Sequence, residues 1–217
     1  RIIAQRQQVV RVDRETRNDI MPRLAKRLAK SIDTDLAKSN AIVIGDYGKG
    51  VITQEYLDEL KALGQRHGVW LSLDPKPVHS LNLRGLSLIT PNRREAFELA
   101  GIDDNTYHAR PLKDQNLMCV AKQLLADLEL EVLLITLGEL GMLVCQPGSK
   151  PFHIPTLARE VFDVSGAGDT VIGTYTLAVA AGADPIEAAM LANHAAGVVV
   201  GKLGTATVTP KELLASI

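Results

Sequence analysis

The chain of 217 residues (23.4 kDa) has the length of one domain, or one domain with a small appendage, and can bury roughly 70 % of its unfolded surface without a disulfide or metal staple. Hydrophobic residues at 46 %, with 24 Lys and Arg against 25 Asp and Glu, are ordinary for a globular protein and exclude a basic nucleic-acid binder or a coat for an anionic membrane. Cys119 and Cys145 are too few for a disulfide framework, no apolar stretch nears the roughly 20 residues a bilayer crossing needs, and no leader opens the chain; the expectation is a cytoplasmic protein in a reducing setting.

Arg1 to Val12 reads as strand, with Ile3, Val9, Val10 and Val12 among Gln and Arg, and a first residue other than Met suggests a fragment. Asp19 to Lys38 spaces Ile20, Leu24, Leu28, Ile32 and Leu36 by four, which predicts an amphipathic helix with a basic outer face. Ala41 to Gly45 is a short apolar run, expected to be a strand buried on both faces, and it ends in the turn cluster Asp46-Tyr47-Gly48-Lys49-Gly50. Thr53 caps a helix carrying Tyr56, Leu57, Leu60 and Leu63; strands follow over 69–73 and 86–90, the latter leading through Pro91 to Asn92, a cap for 93–100. A helix over 115–128, a strand over 132–136 and an antiparallel ribbon over 141–145 and 152–155 come next. Helices over about 168–181, from Pro185 to about Leu203, and from Pro210 finish the chain, and the small residues Cys119 and Cys145 are expected in the core. Strands alternating with helices at this spacing predict a doubly wound α/β unit, whose ligands bind at the carboxyl ends of the strands.

Those ends carry Asp46 to Gly50, Asp74-Pro75-Lys76, Asn92 to Glu95 and Thr136 to Gly138, although strand ends need turn residues in any case. The run Asp163-Val164-Ser165-Gly166-Ala167-Gly168-Asp169-Thr170 is more specific. Its glycines let backbone pass close to a ligand, and the helix that follows would point the amides of Ala167, Gly168 and Asp169 at an anion. Asp169 in the same turn could take a proton from a hydroxyl aimed at that anion, an arrangement suited to phosphoryl transfer to an alcohol. The plainer reading of the run is a tight turn with Asp as helix cap.

This run resembles the second signature of the ribokinase/PfkB family of sugar kinases. Asn193 to Val200 is similar to the family helix lining the adenine pocket, Thr136 to Gly141 to its nucleotide-side strand and turn, and Thr90-Pro91-Asn92-Arg93-Arg94-Glu95 to its Asn-x-x-Glu motif. The resemblance implies a ribokinase-like three-layer α/β/α sandwich with a mainly parallel sheet. Residues 1–217 would be one partial kinase domain missing its N-terminal strands, with 1–13 a remnant of the lid strand and the family's Gly-Gly sugar-binding motif absent. Within the family, Gly45 to Gly50, Asp74-Pro75-Lys76, Val199 to Thr205 and Arg11-Val12-Asp13-Arg14-Glu15 resemble the heptose-7-phosphate kinases of lipopolysaccharide core synthesis, which occur alone or fused to an adenylyltransferase.

Carried onto this chain, the resemblance implies ATP and Mg²⁺ as cofactors and a small phosphosugar as substrate. Asp169 would be the general base, and the amides of Gly166, Ala167 and Gly168 would hold the γ-phosphate. Asn92 and Glu95 would hold Mg²⁺ through water, and Thr136, Gly138, Gly141, Asn193 and Gly197 would border the nucleotide. Lys49, Lys76, Asp46, Arg11 and Asp13 are candidates on the substrate side. Glu95 also satisfies a capping box with Asn92, the two lysines could be solvated loop residues, and Arg11 and Asp13 could decorate an exposed strand. A homodimer is possible, because ribokinase-like enzymes pair through their lids. The competing readings are another PfkB-type sugar or nucleoside kinase, and an inactive nucleotide-binding fragment.

Overall fold

The computed structural model describes residues 2–4, 7–10, 12–77, 80–158 and 161–217. In place of a single strand over 1–12, β1 (Ile2–Ala4) and β2 (Gln7–Val10) form an antiparallel hairpin, a sheet of its own. Arg11 lies outside the described residues. Among the described residues the main sheet has six strands in chain order: β3 (Ala41–Gly45), β4 (Trp70–Asp74), β5 (Leu88–Ile89), β6 (Val132–Thr136), β7 (Met142–Cys145) and β8 (Phe152–Ile154). The first four pair in parallel, and β7 and β8 run antiparallel as the expected ribbon.

Period-two alternation divides the core between the two faces of this sheet. Leu71 and Leu73 of β4, Leu133 and Ile135 of β6, and Leu143 and Cys145 of β7 pack on one side. They meet α1 (Pro22–Leu36), α2 (Gln54–His67), α3 (Arg93–Ala100) and α4 (Gln115–Asp127). Val132, Leu134, Met142 and Val144 face the other way, onto α5 (Ala167–Ala180) and α6 (Pro185–Val200). On that second face Ser72 replaces a hydrophobe, and its hydroxyl pairs at 2.7 Å with Thr176 of α5, so the buried polar atoms are satisfied. A last helix, α7 (Pro210–Ser216), packs on α6. The caps follow the sequence: Thr53, Asn92, Asp184 and Thr209 each accept a backbone N–H of the first turn, the last three within full capping boxes.

Four expectations are corrected. The inward stripe of α1 is Ala25, Ala29 and Leu36, while Leu24 and Leu28 stay 39 % and 37 % exposed, because small residues let the helix approach closely. Strand β3 is not buried on both faces: it is the edge of the sheet among the described residues, with Val43 47 % exposed. The expected strand over 86–90 shortens to Leu88–Ile89, since its flanks bend into loop on either side of a narrow pairing register. Cys119 is exposed on α4, whereas Cys145 is buried on β7 and its thiol is pushed up to about 12 by burial. No helix among the described residues is long and apolar enough to cross a membrane.

Candidate active site

The carboxyl ends of β3 to β6 and the start of α5 converge on one edge of the sheet. Gly166 precedes α5 with φ of 85°, a left-handed conformation that a side chain would strain. In this turn the Ala167 amide, expected at a phosphate, donates to the Val164 carbonyl at 3.2 Å. No backbone hydrogen bond engages the amides of Gly168 and Asp169 among the described residues, and they remain at the positive end of the helix. A Cβ placed on Gly168 would meet nothing within 4 Å, so open space lies in front of this turn.

That space is a cavity of about 520 Å³. All five residues expected at a nucleotide, Thr136, Gly138, Gly141, Asn193 and Gly197, line it together with Ala167 and Gly168. Gly141 must be glycine, because its φ is 86° and a Cβ would sit 2.0 Å from the Ile154 carbonyl oxygen. Asn193 is buried and donates from Nδ2 to the Pro155 carbonyl at 2.9 Å, bracing the segment after β8 that forms one wall. Thr156 and Ala158, on the segment after β8, are also among the lining residues, as are Ala196 and Val200 of α6. Ala196 and Val200 fall in the stretch Asn193 to Val200 that the sequence singles out, whereas Thr156 and Ala158 do not, since small residues in a loop carry no pattern of their own.

Beside this cavity lies a cluster of charges. Lys76, just past β4, forms an ion pair with Glu95. Burial opposes the Lys76 ammonium, but Glu95, Asp74 and Asp169 outweigh it and hold Lys76 above the ordinary lysine value. Glu95 accepts the Asn92 amide on its other oxygen, and the Asn92 side chain accepts the Glu95 amide. The capping box expected of Glu95 is therefore formed, and the ion pair with Lys76 is made by the other carboxylate oxygen. Thr136 is drawn into the same corner, its amide donating to the Pro91 carbonyl at 3.0 Å.

In the sequence Asp74 reads as part of a strand-end turn. Burial pushes its carboxyl up from 3.8 to about 6, against the opposing influence of Lys76. An acid at the end of a buried strand was the signal available for it.

The substrate-side candidates separate. Asp46 is buried and shapes the turn, its Oδ1 accepting the Gly48 amide at 2.8 Å. Lys49 forms an ion pair with Glu15, which also accepts Arg17 Nε at 2.8 Å. Asp13 is exposed on the segment between the hairpin and α1. Asp169 is exposed on the first turn of α5, and across the cleft the Tyr47 hydroxyl donates to its Oδ1 at 3.1 Å.

Among the described residues no three His, Cys, Asp or Glu side chains form a metal-ligating group. With Glu95 already accepting two hydrogen bonds, this donor set fits an ion that arrives on phosphates and keeps its waters, the habit of Mg²⁺, and not one held in a protein cage.

A sheet with helices on both faces, with a cavity at its carboxyl edge beside a glycine-turned helix start, is the ribokinase-like α/β architecture. Ribokinase of Arabidopsis thaliana, solved with ribose and ATP, is similar with a TM-score of 0.73 at 22 % identity, over 86 % of this chain and 58 % of that one. Phosphofructokinase-2 of Escherichia coli, solved with potassium, gives 0.72 at 16 % identity, over 86 % and 60 %. Residues 2–212 match the pfkB family carbohydrate kinase model, and the chain belongs to that family. It is 42 % identical over 217 residues to the bifunctional protein HldE of Geotalea uraniireducens (strain Rf4), a match covering 100 % of this chain and 43 % of the relative. HldE of Geobacter sulfurreducens is 40 % identical over 218 residues, again covering 43 % of the relative. The chain thus spans less than half the length of these curated relatives.

Proposed function

We propose that this chain is the kinase portion of an ATP-dependent heptose kinase. It transfers the γ-phosphate of ATP to the anomeric hydroxyl of D-glycero-β-D-manno-heptose 7-phosphate, giving the 1,7-bisphosphate for ADP-heptose and lipopolysaccharide core synthesis. The observation that carries this reading is the first turn of α5, where the exposed carboxylate of Asp169 stands beside two amides without backbone partners among the described residues, next to the cavity. Support for the substrate comes from the likeness to HldE proteins at about 40 % identity along the whole chain.

In this reading the nucleotide lies in the cavity along Thr136, Gly138, Gly141 and Gly197, with its γ-phosphate toward the amides of Gly168 and Asp169. Asp169 accepts the proton of the anomeric hydroxyl as that oxygen bonds to the γ-phosphorus, and the bond to the β–γ bridging oxygen breaks to release ADP. The helix start and Lys76 stabilise charge on the phosphoryl oxygens. Asn92 and Glu95 would hold, through water, a Mg²⁺ ion carried in on the nucleotide, and that ion would supply charge neutralisation at the phosphates.

The test is coupled-assay turnover on a panel of sugars, sugar phosphates and nucleosides, with Asp169→Asn beside the wild type. The expected result is preference for the heptose phosphate and a loss of roughly 10²–10⁴-fold in kcat for Asp169→Asn, with binding of an ATP analogue retained. Preference for another sugar or a nucleoside would move the protein elsewhere in its family, and nucleotide binding without turnover on any acceptor would sink the kinase reading for this chain.

A further inference from the structure

In three helices of this protein the third residue is an acid that folds back onto the amide of its own N-cap. Glu95 does so on Asn92, Glu187 on Asp184 and Glu212 on Thr209. Asp169 holds the same position in α5, yet no side-chain bond caps that helix, and its carboxylate reaches outward. One methylene shorter than glutamate, it is met instead by the hydroxyl of Tyr47, 122 residues away in sequence. No hydrogen bond to Asp169 Oδ2 occurs among the described residues.

Tyr47 is placed for this contact by its own turn. Asp46 Oδ1 binds the Gly48 amide, closing a bend that throws the tyrosine out over the end of β3. Its ring lies near Gly45, where a Cβ would come within 3.5 Å of the ring and hydroxyl. The residue is 62 % exposed, so burial of the ring does not account for a large aromatic here.

We propose that Tyr47 is a positioning residue for the Asp169 carboxylate, its hydroxyl fixing Oδ1 so that Oδ2 is left facing the acceptor hydroxyl; this rests on the kinase reading given above. An unrestrained aspartate on a solvent-facing turn samples several rotamers, and only some present an oxygen to a substrate beside the helix start. The tyrosine stays protonated throughout the reaction. The acceptor's proton goes to Oδ2, its oxygen bonds to the γ-phosphorus, and the leaving ADP keeps the electron pair of the broken bond. Consistent with the contact, the hydrogen bond to Asp169, assisted by partial burial, holds the Tyr47 phenol above its ordinary value.

Two measurements test this. The first is the near-ultraviolet tyrosinate titration of the wild type, Tyr47→Phe and Asp169→Asn, in which the difference against Tyr47→Phe isolates Tyr47 from Tyr56, Tyr107 and Tyr175. The Tyr47 component is expected to move to lower pH in Asp169→Asn. The second is turnover of the heptose phosphate, where Tyr47→Phe is expected to lower kcat by about tenfold while the affinity for an ATP analogue and the melting temperature hold. A Tyr47 component that ignores Asp169→Asn overturns the proposal, and so does a Tyr47→Phe enzyme with full kcat. A wild type that titrates as expected but phosphorylates no acceptor overturns the kinase reading itself, and the proposal with it, which separates the two failures.

Discussion

Lys76 reaches from the end of β4 to the third residue of α3, where it pairs with Glu95 while Glu95 holds the amide of Asn92. One lysine therefore balances a corner that also contains Asp74 and lies within the field of Asp169. Removing it with Lys76→Met leaves Asp74, Glu95 and Asp169 facing one another, and anions approaching the start of α5 meet uncompensated negative charge. Affinity for an ATP analogue, read by calorimetric titration, is expected to fall by about tenfold, with Lys76→Arg recovering part of the loss. Unchanged affinity in Lys76→Met would reduce the ion pair to a structural brace.

The same corner makes stability depend on pH through Asp74. Its carboxyl titrates at about 6 in the folded protein against 3.8 ordinarily, because burial resists the charge. Between those values the folded chain holds a proton that the unfolded chain has released. This group's contribution to stability is therefore fully present below about pH 4 and lost as the pH rises through 6. Asp74→Asn, which carries no charge at any pH, is expected to be more stable than the wild type at pH 8 by on the order of 1–3 kcal/mol, with the gap closing toward pH 4. Urea melts of both proteins at a series of pH values would show it, and a gap independent of pH would rule the burial argument out.

A second charge cluster is expected to behave in the opposite sense. Arg93 donates to Asp104 at 2.7 Å and to the Thr106 carbonyl at 2.6 Å, and its guanidinium lies 4.8 Å from the Phe97 ring centre. It also pairs at 2.9 Å with Asp114, which is buried and caps α4 through Leu117. Burial alone would raise the Asp114 carboxyl, but the Leu117 amide, Thr106 and Arg93 outweigh it and hold it below the usual carboxylate range. That stabilisation is present at neutral pH and disappears as acid protonates the group. Arg93→Met is expected to cost roughly 2–4 kcal/mol at pH 7, because it strands Asp114, and less in acid. An equal cost at both pH values would assign the loss to the Phe97 packing instead.

The sequence made the sheet and the site's motifs legible for definite reasons. Continuous apolar runs bounded by turn residues locate β3, β4 and β6, and the Pro185 and Pro210 starts with their capping acids locate α6 and α7. Local chemistry was sufficient in each case. What stayed hidden depends on partners distant in the chain. Nothing local tells that α1 docks through Ala25 and Ala29 and leaves its leucines outside, or that Cys119 faces solvent. At the site, the motif Asp46 to Gly50 drew attention to its lysine and aspartate, whereas the residue that meets Asp169 is the tyrosine between them. Only the crossing of β3's end over the start of α5 reveals that contact.

Two glycines that both line the cavity are expected to fail differently. Gly168 has open space where a side chain would go and an ordinary backbone conformation, so Gly168→Val should fold with nearly wild-type stability while its side chain occupies the room in front of the α5 amides. Gly141 has a left-handed backbone and the Ile154 carbonyl 2.0 Å from where a Cβ would stand, between β7 and the end of β8. Gly141→Ala has to force that ribbon apart and is expected to lose at least ~2 kcal/mol. Thermal melts followed by titration with an ATP analogue separate the two effects. The predicted pattern is a stable Gly168→Val that does not bind and a destabilised Gly141→Ala that, where folded, still does. Binding by a folded Gly168→Val would remove phosphate from the α5 turn, and with it the geometric basis for placing the transferred group beside Asp169.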